Sequence, residues 1–440
     1  MTDTTFKDAI FSSRVATIGV PQLIAYYVSN LIGAGIFVLP ALAQEAAGPW
    51  TLLAWGLMAL SSVPTAWVMG RIAIDYANDN GVLDFVRQAV SPKLAAALSR
   101  LIVLIMVVGN PVMGLISARY TLVAFGLSET LLFPLAAGFM FLSIAFNMLG
   151  LRNSARIQTL LVTASMLVLI SLAMLSLGAA DSLRPEPAPL HVSGLFVAIG
   201  ICFFAFLGWE NVATIAPDVK HPGRTFPLAL AISVPLISGV YLLVALALLL
   251  VTQDRGGLGG NFAVMDHLVA PFGNPRVSLA VNGLTLAVVV LSTNAWVLSA
   301  SRLLSSAVRD GHLPRMLASQ EGSSMGRTCL TLAVAYSAVL ALMYGFGQTE
   351  KMIVPLISAG FLVIYAWVLW GAARRYARTP TGWLAIGGLT IVLFFILSVW
   401  LQSLVVLSIT AIFYLRETSA LSRTAPTKDS YVRIASRNRP

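Results

Sequence analysis

The sequence predicts an all-α membrane protein of about twelve transmembrane helices. Three observations carry that expectation. Hydrophobic residues make up 58% of the 440-residue chain and charged residues only 10%, with a mean hydropathy of +0.85. A water-soluble domain needs roughly 25% charged residues to cover its surface. Apolar runs close to the roughly 20 residues that cross a hydrocarbon core recur along the whole length. Finally, Lys and Arg segregate to alternate connections between those runs. Lipid, not water, is the solvent that tolerates such a chain.

The expected spans are 18–42, 50–70, 101–124, 131–148, 157–177, 192–215, 227–251, 277–304, 328–344, 352–370, 383–399 and 401–415. The last two are short and nearly continuous. An even number of spans puts both termini on one side. Of the 28 Lys and Arg, Arg184, Arg255, Arg276 and Lys351 fall on the opposite side, and Arg119 falls late in the third span. All the others fall on the side of the termini. A mis-set span would have mixed the two groups. The positive-inside rule then predicts cytoplasmic termini and a multi-pass protein of the cell (inner) membrane.

The net charge of +10 and the pI near 9.9 follow from this topology. No basic cluster with interleaved aromatics suggests a nucleic acid partner. The two cysteines, Cys202 and Cys329, lie in apolar stretches without CxxC spacing or nearby histidines. Neither a metal site nor a disulfide framework is indicated. Residues 1–17 are polar and lack the apolar core of a signal peptide, so they read as a cytoplasmic segment. Residues 18–374 would form the first ten helices and 375–416 the last two. Residues 417–440 are polar, basic and rich in Ser and Thr, the composition of a disordered cytoplasmic tail.

Two spans carry the features that matter for function. In the first, Asn30-Leu31-Ile32-Gly33-Ala34-Gly35-Ile36-Phe37 puts two glycines into a helix interior. Each costs about 1 kcal/mol relative to Ala. Close helix packing is one explanation, although membrane packing motifs favour Gly-xxx-Gly over Gly-x-Gly. Unwinding is the other, and unwound backbone in a membrane must be buried or line a cavity. A break would expose the N–H groups of the second half-helix, which suit a carboxylate. It would also expose carbonyls of the first half, which suit an ammonium or another cation. The sixth span reads likewise: Phe203-Phe204-Ala205-Phe206-Leu207-Gly208-Trp209-Glu210 sets a glycine beside an ionisable residue in a long apolar run. Interrupted helices at matching positions of two five-helix halves point to an inverted repeat.

At these residues the chain resembles the amino acid–polyamine–organocation superfamily. Gly33-Ala34-Gly35-Ile36-Phe37 followed by Pro40 resembles its first-helix signature. Phe203 to Glu210 resembles its sixth-helix signature. Asp218-Val219-Lys220-His221-Pro222-Gly223-Arg224-Thr225-Phe226-Pro227 resembles the charged loop before helix seven. Ser301-Arg302-Leu303-Leu304 with Arg309-Asp310-Gly311-His312-Leu313-Pro314 resembles the close of helix eight. Four motifs in order are far more specific than any one. A weaker likeness points to the bacterial exporter branch for methionine and branched-chain amino acids.

The resemblance implies a five-plus-five inverted-repeat core, two extra helices and a zwitterionic amino-acid substrate between helices one and six. By position, Ile32, Gly33, Ala34 and Gly35 would hold its carboxylate and amine through the backbone. Phe203, Ala205 and Leu207 would supply carbonyls and walls, with Phe204 at the family's aromatic gate. Some members carry a fifth-helix lysine in place of a sodium ion; alignment puts Ser165 there. A sodium site between helices one and eight would use Ser292 and Thr293, and proton coupling would use Glu210. The coupling ion, proton or sodium, stays open, as does the oligomeric state. No cofactor is called for.

The remaining polar groups are weighed against simpler roles. Glu210 would serve coupling or gating, or pair at the interface with Arg302 or Lys220. Arg119 reads as snorkelling to the outer surface. Most of Asn30, Asn110, Asn147, Asn282 and Asn294 read as interhelical tethers, but Asn110-Pro111 differs, because Pro111 frees a backbone carbonyl that would serve either a kink or a substrate contact. Tyr26 and Tyr27 would roof the pocket or simply pack. His191, His221, His267 and His312 lie in loops or at span ends, leaving no triad or metal cluster. Without a mid-span nucleophile and base, an intramembrane enzyme is disfavoured, and no recurring polar ring suggests a channel. The glycines from 256 to 260 lack the residues of a phosphate loop and read as an outer loop. Few charges surround the breaks, which favours a neutral, apolar amino acid moved outward over a cationic amino acid or polyamine.

Overall fold

The computed structural model describes residues 18–33, 35–76, 81–148, 155–179, 188–253, 257–319, 326–347 and 350–424. The expected tail from 425 and the segment before Ile18 lie outside these residues. Among the described residues there is no strand, only an isolated bridge between Ile18 and Val219. Eight helical runs are long and apolar enough to cross a membrane, and shorter apolar helices lie at Thr163–Gly178 and Val192–Ala205.

Helix stands at each expected span. The first span is α1 (Val20–Ile32), a 3-10 turn Gly35–Phe37 and α2 (Leu39–Ala47). The second is α3 (Thr51–Asp75). A short helix, α4 (Val82–Ala89), precedes the third span, α5 (Pro92–Phe125). Spans four and five are α6 (Leu132–Met148) and α7 (Ala155–Ala179). The sixth is α8 (Val192–Ala205), a turn, and a 3-10 segment Glu210–Asp218. The seventh is α9 (Pro222–Gln253); the short α10 (Val264–Val269) precedes the eighth, α11 (Pro275–Arg309). Then come α12 (Gly326–Gly345), α13 (Glu350–Arg375), α14 (Pro380–Ser398) and α15 (Trp400–Thr424). The last helix overruns its expected end, and Arg100 holds it there through Glu417 at 2.6 Å. Residues 417–424 are therefore helix rather than tail.

Local chemistry explains the helix ends. Pro92, Pro275 and Pro380 occupy the first helical positions of α5, α11 and α14, where a missing N–H costs nothing. Asn274 caps α11 by accepting from the Arg276 and Val277 N–H groups. Gly126 ends α5 in the left-handed region.

The packing carries the repeat that the layout implied. The matching spans of the two halves touch: α2 packs on α8, α3 on α9, and α5 on α11. Other contacts come in pairs related by a shift of five spans. The α1–α9 contact matches α8–α3, α6–α11 matches α12–α5, and α5–α13 matches α11–α7. The short helices α4 and α10 also stand at matching places, before spans three and eight. Five spans is an odd number, so the second half crosses in the opposite sense and the repeat is inverted.

One side is closed and the other open. A cavity of about 1220 Å³ runs from the helix breaks to a mouth lined by Arg87, Arg302, Arg309 and Arg315. Those residues belong to the arginine-rich side. On the opposite side α2 lies tightly on α8. A Cβ at Gly194 would sit 2.2 Å from the Ala46 carbonyl oxygen, so only glycine permits that approach.

Candidate functional site

The first break begins where α1 ends at Ile32, with Gly33 as its C-cap. A helix end leaves its last four carbonyls without intrahelical partners. The Leu31 carbonyl accepts from the Tyr241 hydroxyl of α9 at 2.8 Å. Ser29 and Asn30 line the cavity. Beyond the break, the Tyr120 hydroxyl of α5 donates to the Phe37 carbonyl at 2.5 Å.

The second break spans Phe206 to Trp209. Gly208 has φ +130°, a conformation that L side chains rarely adopt. Its N–H donates to the Glu210 carboxylate at 3.0 Å, and the Tyr365 hydroxyl of α13 donates to the same oxygen. Among the described residues Glu210 forms no ion pair with Arg302 or Lys220; its bonds serve the turn. The side chain is 7% exposed and borders the cavity.

The two breaks face one another. A Cβ at Gly208 would lie 3.5 Å from both Asn30 Cβ and Leu31 Cδ1. The Tyr241 oxygen, 2.8 Å from the Leu31 carbonyl, is also 3.4 Å from the Ala205 carbonyl. A hydroxyl has one proton, so Leu31 receives the hydrogen bond and Ala205 a weaker polar contact. Tyr241 stacks on Trp55 at 4.7 Å and 11°, which fixes its ring. On the arginine-rich side the half-helices are tied directly: the Ile18 N–H donates to the Asp218 carbonyl and the Lys220 N–H to the Ile18 carbonyl, at 3.0 and 2.9 Å.

The expected site residues divide. Gly33, Gly35, Phe204, Ala205, Leu207, Glu210 and Ser292 line the cavity. Phe204 stacks on Trp296 of α11 at 6.2 Å and 21°, so Trp296 joins it in the aromatic wall. Ile32 is buried away from the cavity. Phe203 departs from its expected wall position: its ring packs on Tyr365 and Phe395, and its carbonyl accepts from the Phe206 N–H. Ala34 lies outside the described residues. Thr293 also stands off the cavity; its hydroxyl donates to the Val289 carbonyl at 2.8 Å. Ser165 is fully buried, and its hydroxyl oxygen has no partner among the described residues. Tyr26 borders the cavity, whereas Tyr27 packs on Trp209 at 5.3 Å.

Other readings are sharpened. Asn110 donates to the Tyr336 hydroxyl at 2.6 Å and Asn147 to Asn294 Oδ1 at 2.8 Å, so both tether helices. Asn30 instead bonds its own helix, at the Tyr26 carbonyl. Arg119 does not snorkel: it is 12% exposed and bonds Glu350, which is 0% exposed. His312 lies at the cavity mouth, where burial pushes its imidazole below the usual range and favours the neutral form.

Sequence reasoning missed Tyr241, Tyr365, Tyr120 and Trp296. Aromatic residues in apolar runs read as packing. A tyrosine inside a span does carry one usable signal, because its hydroxyl must find a partner there.

A family model described as amino acid permease matches residues 18–419. The L-methionine/branched-chain amino acid exporter YjeH of Escherichia coli is 31% identical over 227 residues, 51% of this chain and 54% of the relative. The branched-chain amino acid permease BcaP of Lactococcus lactis is 25% identical over 383 residues, 80% of each chain. The crystal structure of MhsT in complex with L-phenylalanine aligns with a TM-score of 0.62 at 16% identity. It covers 89% of this chain and 100% of that one, and so shares the fold. With the permease model spanning nearly its whole length, the chain belongs to the amino acid permease family of the amino acid–polyamine–organocation superfamily and is a multi-pass membrane transporter of amino acids.

Proposed function

We propose that this transporter moves neutral, apolar amino acids of the methionine and branched-chain type by secondary active transport and alternating access. Its net direction is outward across the inner membrane, with both termini in the cytoplasm. The observation that carries the reading is the wall around the two breaks. Phe204, Leu207 and Trp296 border the cavity there, and Glu210 already holds the Gly208 N–H and the Tyr365 hydroxyl. A substrate carboxylate would meet the N–H groups at the start of the Gly35–Phe37 turn. Its ammonium would meet the carbonyls at the end of α1. A second cation on the substrate would require a free carboxylate, and burying a charge without one is costly.

The outward direction draws its support from the exporter relative; the fold itself permits transport either way. Glu210 is the coupling candidate for a proton. Ser292 and Thr293 are the candidates for sodium. A hydroxyl that donates backward to its own helix, as Thr293 does, keeps oxygen lone pairs for a cation. The second reading, transport of cationic amino acids or polyamines, draws on Glu210 at the cavity edge.

The test is uptake and counterflow of radiolabelled methionine, leucine, arginine and putrescine in proteoliposomes, under proton and sodium gradients imposed separately. Methionine and leucine signals that follow one gradient are expected. Arginine or putrescine transport that depends on Glu210, without a methionine or leucine signal, would overturn the neutral assignment.

A further inference from the structure

The outer ends of the helices carry an ion pair that the transport site does not use. Arg119, near the end of α5, bonds through Nε to Glu350 in the first turn of α13. Its guanidinium also lies 3.6 Å from the exposed Glu129 and 5.4 Å from the centre of the Phe262 ring. The next residue, Tyr120, holds the Phe37 carbonyl just beyond the first break. Two neighbouring residues of α5 thus grip α13, the loop before α10 and the outer half of the first span. These are the contacts that must separate if the outer side is to open.

The pair is incompletely satisfied. Glu350 is fully buried, yet its second carboxylate oxygen has no hydrogen-bond partner among the described residues. A buried pair holds well only when its geometry and its remaining hydrogen bonds are good. An acceptor left unpaired is a standing cost of the closed state, and water entering on opening would remove it. Glu129 adds little, because exposed pairs are screened.

We infer that Arg119 and Glu350, with Tyr120, form a reversible ionic latch that closes the outer side while the cavity faces the cytoplasm. The inference rests on the alternating-access reading of the site. Removing Arg119 leaves the Glu350 carboxylate buried and uncompensated, and removing Glu350 leaves Arg119 with only the exposed Glu129; either remaining charge gains water in the outward-open state. Loss of the latch therefore shifts the population outward, and the protein stays folded.

The test is sidedness of labelling, not transport. In a background of Cys202→Ser and Cys329→Ser, Ser117→Cys places a thiol between cavity-lining Met113 and Tyr120 on one face of α5. Ser117 is fully buried. A membrane-impermeant thiol reagent is applied from the outer or the cytoplasmic side of oriented vesicles. Glu350→Gln and Arg119→Gln should each raise outer-side labelling on the order of tenfold. The exchanged pair Arg119→Glu/Glu350→Arg should bring it back toward the parent rate. Tyr120→Phe, a milder change, should act in the same direction with a smaller rise. Unchanged outer labelling in folded Glu350→Gln and Tyr120→Phe proteins would overturn the latch. Simultaneous labelling from both sides in the parent would instead overturn alternating access.

Discussion

In the sixth span the chain leaves its helix at Ala205, turns through Gly208 at φ +130° and fastens the turn with Glu210, two residues on. Among the described residues of the first break, no side chain does that work. The Leu31 carbonyl is met by Tyr241, 210 residues away, and the Phe37 carbonyl by Tyr120, 83 residues away. One break is written largely into its own segment. The other is held open by distant helices. The matching positions of the two breaks conceal this difference. A break fastened from outside can change when its neighbours move.

Substitutions at four positions test the comparison, from the largest effect to the smallest. Gly35→Leu should abolish transport while leaving membrane insertion intact. A Cβ at Gly35 meets Leu39 Cδ1 at 2.9 Å and the Tyr241 hydroxyl at 3.5 Å, and a leucine would fill the turn itself. Near-normal transport would mean that the first break is only a packing feature.

Glu210→Ala leaves the Gly208 N–H and the Tyr365 hydroxyl without their acceptor. It should destabilise the protein by about 2–3 kcal/mol, measured by thermal unfolding in detergent, with a loss of transport to match. Glu210→Gln keeps an acceptor and should lose much less stability. If Gln loses transport as completely as Ala while staying stable, the carboxylate serves coupling as well as the turn.

Gly208→Ala has space around its Cβ but not the backbone freedom. The strain is about 1–3 kcal/mol, and substrate affinity should fall with it. Unchanged affinity would show that the turn relaxes without harm and that the sixth break is less locally written than its geometry implies.

Tyr241→Phe keeps the stacked ring and removes the hydroxyl, costing about 1 kcal/mol. Hydrogen exchange should rise in peptides covering residues 29–39 and stay level across 204–212. An equal rise in both would mean that Tyr241 supports the two breaks alike, through Leu31 and Ala205.

The spans were legible because apolarity over a membrane's width is a bulk property that needs no partner. The short helices α4 and α10 were not. They are too short for that signal and carry polar residues, Asp84 and Arg87 in one, Asp266 and His267 in the other. Arg119 was misread for a related reason. A cation near a helix end predicts snorkelling by default, and nothing nearby in sequence announces Glu350. Phe203 was expected to supply a carbonyl and wall contact by its position in the sixth-helix motif. Helical rotation turns it instead toward α13 and α14.

The sequence by itself determined which segments cross the membrane, which connections carry the cations and where the two helices break. Those features arise from composition and from glycine, and both act locally. Only the tertiary structure decided what holds each break and what pairs with Arg119. The partners of Leu31, Glu210 and Arg119 lie 210, 155 and 231 residues away. A tyrosine or glutamate at a helix position has the same local propensity whichever group it meets, so its role appears only when packing brings that group within hydrogen-bonding distance.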